Sequence, residues 1–234
     1  MLVTGASGGI GRRLCRAFAR DGFWVGVHYC SRQEAAEETL AELTAAGGQG
    51  ALFQADIRSG EAVLAMVDDL RRTRGRLDVL LCNAGIAASH LVVRCPEDEW
   101  QRIIDTNLSG TYRTMTTAAA GMMTEGGSIL VIGSYAGLHG RSGQGAYAAS
   151  KAGLIGLVQT AAREWGPHNI RVNLVCPGWQ ATGLAGDAYP SADDVQGHVL
   201  GRLSNLDEVS ETICRLAQLH DVSGQVWNVD SRIL

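Results

Sequence analysis

Short apolar runs alternate with amphipathic stretches along the whole chain of 234 residues. The apolar runs are "MLVT", "WVGVHY", "ALFQA", "LDVLLCNAG", "GSILVIGS", "RVNLVCPG" and "GQVWNV". Each is nearly continuous rather than alternating, which is the pattern of strands covered on both faces. Helical periodicity falls between them, around residues 10–20, 32–46, 59–74, 97–123, 145–165 and 205–219. Strand and helix taking turns in this way predict an α/β fold, a doubly wound parallel sheet of about seven strands with helices on both faces. No break in composition marks a linker, so residues 1–234 read as a single domain. One stretch departs from the rhythm. Residues 179–204, "WQATGLAGDAYPSADDVQGHVLGRLS", are glycine-rich and weakly periodic. Open α/β sheets bind ligands beyond the carboxyl ends of their strands, so this segment is expected to be a lid over that crevice. The alternative is a plain surface excursion.

Composition narrows the function classes. The chain is 46% apolar and 19% charged, with 30 glycines and four prolines, as in a globular protein. Its net charge of −4 offers no electrostatic reason to expect nucleic acid or an anionic membrane as partner. The start lacks a signal-peptide pattern, and no apolar stretch approaches the ~18 residues of a membrane helix. The chain opens directly on the strand "MLV", which predicts that a few residues belong upstream. The six cysteines are scattered, with no CxxC pair and no Cys/His cluster. They read as reduced thiols packed in a cytoplasmic protein with no metal site.

Two local patterns carry chemistry. "VTGASGGIGRRL" follows the first strand and opens the first helix. Gly5, Gly9 and Gly11 allow a tight turn and close backbone approach to a phosphate, and the helix N-terminus offers free N–H groups to a pyrophosphate. The spacing is TGxxxGxG, so the turn alone is also compatible with a purely structural role. The second strand ends "VHYCSRQEAAEE", with no acid at its tip to hold a ribose 2′-hydroxyl. Ser31 and Arg32 stand just beyond, and a hydroxyl and a guanidinium suit a 2′-phosphate. NADP(H) is therefore expected over NAD(H). The second pattern is "GQGAYAASKAG", residues 143–153. Tyr147 and Lys151, four apart on a helix, share a face, and a cation near a phenol favours its ionised form.

With "TGASGGIG", "CNAG", "TNLSGTY", "GSYAG", "YAASK" and "VCPGWQAT" in this order, the chain resembles the short-chain dehydrogenase/reductases from Thr4 to about Asp230. "VHYCSRQEAAEE" and "GQVWNVD" are most similar to the 3-oxoacyl-[acyl-carrier-protein] reductases and their carbonyl-reducing relatives. The resemblance implies a Rossmann-type fold and an NAD(P)(H)-dependent enzyme interconverting C=O and CH–OH. It implies a catalytic tetrad of Asn107, Ser134, Tyr147 and Lys151, with Ser134 thirteen residues before Tyr147. Ser134 and Tyr147 would hydrogen-bond the carbonyl oxygen. Tyr147 would deliver the proton, acidified by Lys151; Lys151 would also bind the nicotinamide ribose, and Asn107 would help hold a relay water. Cofactor contacts would come from Gly5, Ser7, Gly9, Ile10 and Gly11, from Ser31 and Arg32, from Asp56 and Ile57 beside the adenine, and from Asn83, Ala84 and Gly85. Pro177, Gly178 and Thr182 would hold the nicotinamide end. Substrate is expected at Ser134, Tyr147 and Gln144, with Leu138 also at the mouth.

Other positions qualify this picture. Gly8 stands where many NADPH-using relatives have Arg or Lys, which leaves the 2′-phosphate to Ser31 and Arg32. Cys82 replaces a frequent Asn and reads as a core thiol. Trp179, Leu184 and Tyr189 face either substrate or the protein body. His139 and His168 need no catalytic role. The helices around 97–123 and 145–165 pair subunits in the family, and the last strand makes a second contact, so a homotetramer is expected. The substrate is expected to be an acyl thioester or a free small molecule, with acyl carrier protein a candidate partner. That partner is acidic and calls for a basic docking surface. The stretches before the fifth and sixth strands, "MTEGGSIL" and "GPHNIRVN", offer instead Glu125 and His168, with Arg171 nearby, and "NVDSRIL" ends in Ser231 and Arg232 rather than glycines. A stand-alone carbonyl reductase and, more distantly, a non-catalytic dinucleotide sensor are the alternatives.

Overall fold

The computed structural model describes residues 1–180, 195 and 197–233. Seven strands form one all-parallel sheet: β1 (Leu2–Val3), β2 (Trp24–Tyr29), β3 (Gln49–Gln54), β4 (Val79–Cys82), β5 (Gly127–Ile132), β6 (Ile170–Cys176) and β7 (Val226–Asn228), in the order β3-β2-β1-β4-β5-β6-β7. Helices α1 (Gly9–Arg20), α2 (Gln33–Ala45), α3 (Gly60–Arg74), α4 (Glu97–Ile104), α5 (Gly110–Met122), α6 (Tyr135–His139), α7 (Gly145–Trp165) and α8 (Leu206–Gln218) connect or cover them. The doubly wound sheet predicted from the apolar runs is the observed one.

The continuous apolar runs have a direct cause. Successive residues of a strand point to opposite faces, and both faces are covered. On β4, Leu80 and Cys82 join a core with α3, α5 and α7, while Val79 and Leu81 join a second core with α1, α2 and α8. Ile129 and Val131 of β5 face the first core, and Leu130 and Ile132 the second. Cys82 is indeed a buried core thiol. All six cysteines are free; Cys15, Cys82, Cys176 and Cys214 are buried, whereas Cys30 is exposed and Cys95 only half-buried. Those two depart from the expectation of packed thiols.

Chain order reverses between β1 and β4, and in such sheets the crevice beyond the strand ends at that point receives ligands. The residues leaving the carboxyl ends are Gly5 after β1, Ser31 after β2, Asp56 after β3, Asn83 after β4, Ser134 after β5, Pro177 after β6 and Asp230 after β7. Sequence-distant candidates thus gather along one edge because all strands run the same way.

Two features were not legible in the periodicity. The helix expected over 97–123 is broken by a π turn at Asp105–Ser109, and α6 is a short helix absent from the predicted set. A side chain at Gly137 of α6 would sit 2.8 Å from the Lys151 carbonyl carbon, and one at Gly153 would sit 3.0 Å from Leu108 of the π turn. These glycines bring α7 against α6 and the π turn. Among the described residues no helix is long and apolar enough to cross a membrane, and no three His, Cys, Asp or Glu side chains gather to hold a metal ion.

Candidate active site

The glycine turn is built by exclusion of side chains. Gly5 has φ +64°, and a Cβ there would meet the Ala84 backbone at 2.8 Å; a Cβ on Gly11 would lie 2.4 Å from the Gly5 carbonyl oxygen. The turn is pinned from below by His28. The Gly5 N–H donates to its Nδ1 at 3.0 Å, and Nε2 donates to the Ala55 carbonyl at 3.0 Å. Burial lowers the imidazole pKa to about 4, with the Ala55 bond opposing, so the ring is neutral and can accept from Gly5. Asn83 closes the other side, donating to the carbonyls of Thr4 at 2.9 Å and Gly5 at 3.1 Å.

This turn opens a cleft of about 510 Å³, lined by Gly5, Ser7, Gly8, Gly9, Ile10 and Gly11, by Ser31 and Arg32, by Asp56 and Ile57, and by Asn83, Ala84 and Gly85. Every cofactor residue drawn from the first four strands borders it. The α1 N-terminus facing it has no side-chain cap and no acid in its first turn. Its N–H groups therefore have no intrahelical or capping acceptor, the condition an anion satisfies. A Cβ at Gly8 would lie 2.9 Å from Nη2 of Arg32. The guanidinium thus occupies the space that a side chain at position 8 would fill, across the glycine turn. Uncapped N–H donors, excluded Cβ atoms and a guanidinium fit a phosphorylated dinucleotide.

The motifs did not reveal Arg58, whose guanidinium pairs with both carboxylate oxygens of Asp56, at 3.0 Å from Nε and 2.6 Å from Nη2. That pairing holds the carboxyl below its ordinary range, mainly through the hydrogen bonds. Arg58, His28, Arg102 and Thr106 all line the cleft. Only a charge-pairing argument on "DIR" could have suggested Arg58; His28 had no signal at all.

A second cleft, about 350 Å³, joins the first at Ile10, Asn83 and Gly85. Ser134, Tyr147, Lys151, Gln144, Pro177, Gly178 and Trp179 line it, together with Tyr135, Arg141, Gln180 and Arg232. Ser134 caps α6, its Oγ accepting from the Ala136 N–H at 3.2 Å, and its hydroxyl lies beside the Tyr147 phenol. Lys151 is 5% exposed; its Nζ donates to the Ile132 carbonyl at 2.6 Å and lies 5.8 Å from the Tyr147 ring centre. Burial lowers the Lys151 pKa to about 8. Burial also raises that of Tyr147, with the Ser134 hydroxyl working against it. The expected acidification of the phenol by Lys151 is therefore not what this geometry produces: the ammonium is drawn to a backbone carbonyl, and desolvation of the phenol dominates.

Asn107 stands apart from the other three. It is fully buried in the π turn and borders neither cleft. Its Oδ1 accepts from the Ile86 N–H at 2.8 Å, while Nδ2 donates to the Ile86 carbonyl at 2.9 Å and to Ser150 Oγ at 3.1 Å. Ser150 in turn donates to the Tyr147 carbonyl at 2.7 Å. Leu138 packs on the core and His139 stacks on Tyr135 at 4.2 Å. Thr182, Leu184 and Tyr189, with most of the expected lid, lie outside the described residues.

The family model described as "short chain dehydrogenase" matches residues 1–192. The chain belongs to the short-chain dehydrogenase family. Its curated relatives include "3-oxoacyl-[acyl-carrier-protein] reductase FabG" of Staphylococcus aureus, 35% identical across 98% of this chain and 95% of that one. The 3-oxoacyl-[acyl-carrier-protein] reductase of a Synechocystis species is 36% identical over 98% and 94%. Among solved structures, a dehydrogenase/reductase from Sinorhizobium meliloti aligns with a TM-score of 0.92 at 29% identity, covering 99% of this chain and 93% of that one. A short-chain type dehydrogenase/reductase from Mycobacterium marinum aligns at 0.90 with 31% identity, over 98% and 93%. This short-chain dehydrogenase is thus an oxidoreductase of an NAD(P)-binding family.

Proposed function

We propose that this short-chain dehydrogenase uses NADPH to reduce a carbonyl to a hydroxyl, with a 3-oxoacyl thioester as substrate. The observation that carries the reading is the junction of the two clefts: a dinucleotide-shaped groove runs directly into a pocket walled by Ser134, Tyr147 and Lys151. The bound nicotinamide supplies a hydride. Ser134 and Tyr147 hydrogen-bond the carbonyl oxygen and stabilise the charge that develops there. Because burial holds the phenol protonated at neutral pH, Tyr147 can give its proton to that oxygen. Lys151, whose Nζ lies 5.8 Å from the Tyr147 ring centre, anchors the ribose. Asn107 is a positioning residue that fixes the Tyr147 backbone through Ser150. Arg32 and Ser31 take the 2′-phosphate, which favours NADPH over NADH. The same reading has the enzyme working in the cytoplasm as a homotetramer, with the exposed Ala152, Gly153 and Gly156 of α7 at subunit contacts.

The thioester rests on the similarity to carrier-protein reductases. A second reading, reduction of a free small ketone, is favoured by the charges before β5, where Arg76 is paired with Asp78 and lies 3.5 Å from Glu125. Oxidation of NADPH followed at 340 nm against acetoacetyl thioesters, diketones, quinones and sugars tests both. Thioester turnover lost by at least about a hundredfold in Tyr147→Phe, with unchanged melting, is the expected result. A Tyr147→Phe enzyme of near wild-type rate rejects the proton donor, and activity confined to free carbonyls moves the substrate to the second reading.

A further inference from the structure

The motifs of the family do not account for the chain's end, "NVDSRIL", whose Arg232 forms part of the wall of the catalytic cleft. Its guanidinium is held from two directions. Asp230 accepts from Nε at 2.8 Å and from Nη2, and the Tyr135 ring lies beneath, 3.9 Å from the guanidinium carbon. Tyr135 follows Ser134 directly, and both line the same cleft as the arginine.

The pair is asymmetric. The Asp230 side chain is 0% exposed and the Arg232 side chain 15%. The carboxylate is saturated by four donors: Nδ2 of Asn228, the Arg232 N–H, and Nε and Nη2 of Arg232. It also lies where a Cβ on Gly178 would come within 2.7 Å, so a side chain at 178 would displace it. The negative end is thus buried behind the segment after β6, and the positive end is what the cleft meets. Among the described residues none accepts from Nη1 of Arg232. A guanidinium carries five N–H donors in a fixed fork, and a fork held on one edge keeps its other edge oriented at little entropic cost.

We propose that Arg232 is a specificity-determining residue that binds an oxyanion of the substrate, a carboxylate or a phosphate carried on the group beyond the reacting carbonyl. Resting on the reading of this cleft as a carbonyl-reducing site, the assignment gives the substrate class: an oxo compound with an anionic tail. A phosphorylated pantetheine arm and the carboxylate of a free oxo acid offer the same acceptor chemistry and differ in reach.

Paired substrates separate these sources. Acetoacetyl phosphopantetheine is compared with the phosphate-free acetoacetyl N-acetylcysteamine thioester, and acetoacetate with its methyl ester, in wild type, Arg232→Gln and Arg232→Lys. The expected result is a KM for the anionic member of one pair raised about tenfold to a hundredfold in Arg232→Gln, at unchanged kcat. Arg232→Lys restores part of it, and the neutral member, which registers whatever Arg232→Gln costs by leaving the buried Asp230 short of two donors, changes far less than the anionic one; circular dichroism and melting midpoints show that the variants fold. The affected pair names the source. Equal losses on charged and neutral members, or no loss on either, overturn the proposal. Calorimetric titration of pantetheine with and without its phosphate, and of acetate, does not need turnover. If wild type reduces no ketone, the carbonyl reading fails by itself, and Arg232-dependent binding of an anion still decides this one.

Discussion

Replacing Asn107 by Ala separates a brace from a chemical participant. The residue is fully buried, and its amide satisfies both the N–H and the C=O of Ile86 as well as the Ser150 hydroxyl. Truncation leaves two backbone groups without that partner, and each unpaired buried polar group costs about 1–3 kcal/mol. Ile86 is only half-buried, so water repairs part of the loss; a destabilisation of about 2–4 kcal/mol follows. In a chain of this size that lowers the melting midpoint by roughly 4–16 °C. The second consequence runs through Ser150, which loses the Asn107 donor but keeps its bond to the Tyr147 carbonyl. With the α7 turn loosened, the phenol is displaced from Ser134, and kcat falls about tenfold or more. Asn107→Asp, which keeps the acceptor for Ile86 N–H but sets a carboxylate oxygen against the Ile86 carbonyl, is expected to be at least as unstable. Urea denaturation and scanning calorimetry read the stability, and NADPH oxidation with a responsive ketone reads the rate. An Ala variant with wild-type melting and urea midpoints but a large loss in kcat would refute the brace and return Asn107 to the reacting atoms.

Two further outcomes follow from the cofactor cleft. Arg32→Gln is expected to raise KM for NADPH by about tenfold to a hundredfold, the worth of charge-assisted bonds to phosphate. KM for NADH should stay put; a parallel rise in both, measured in paired turnover assays, contradicts a 2′-phosphate contact. His28, with a pKa lowered to about 4 against 6.5, binds its proton more readily in the unfolded chain. Stability should therefore be flat above pH 6.5 and fall as pH drops from 6.5 towards 4, by about 3 kcal/mol in all. Urea midpoints across that range in wild type and His28→Gln check it, and an identical acid limb in both proteins assigns the loss to other groups.

The alternation of apolar runs and helical stretches was sufficient for the parallel sheet, because a strand buried on both faces has no polar face to hide and its sequence says so directly. The glycine turn was legible for a similar reason: Gly5 takes φ +64° and a Cβ on Gly11 would collide with the Gly5 carbonyl, and both constraints are local. Tyr147 and Lys151 share a helix face by spacing alone. What spacing could not decide is the direction of a buried charge. Lys151 turns to the Ile132 carbonyl and Asn107 to Ile86, and both partners come from elements far away in the chain. The same holds for His28 under Gly5 and for Arg232 over Tyr135. Those contacts exist because seven parallel strands deliver their ends to one edge, and the desolvation met there, which sets the protonation of Tyr147, His28 and Lys151, belongs to the packed whole rather than to any stretch of sequence.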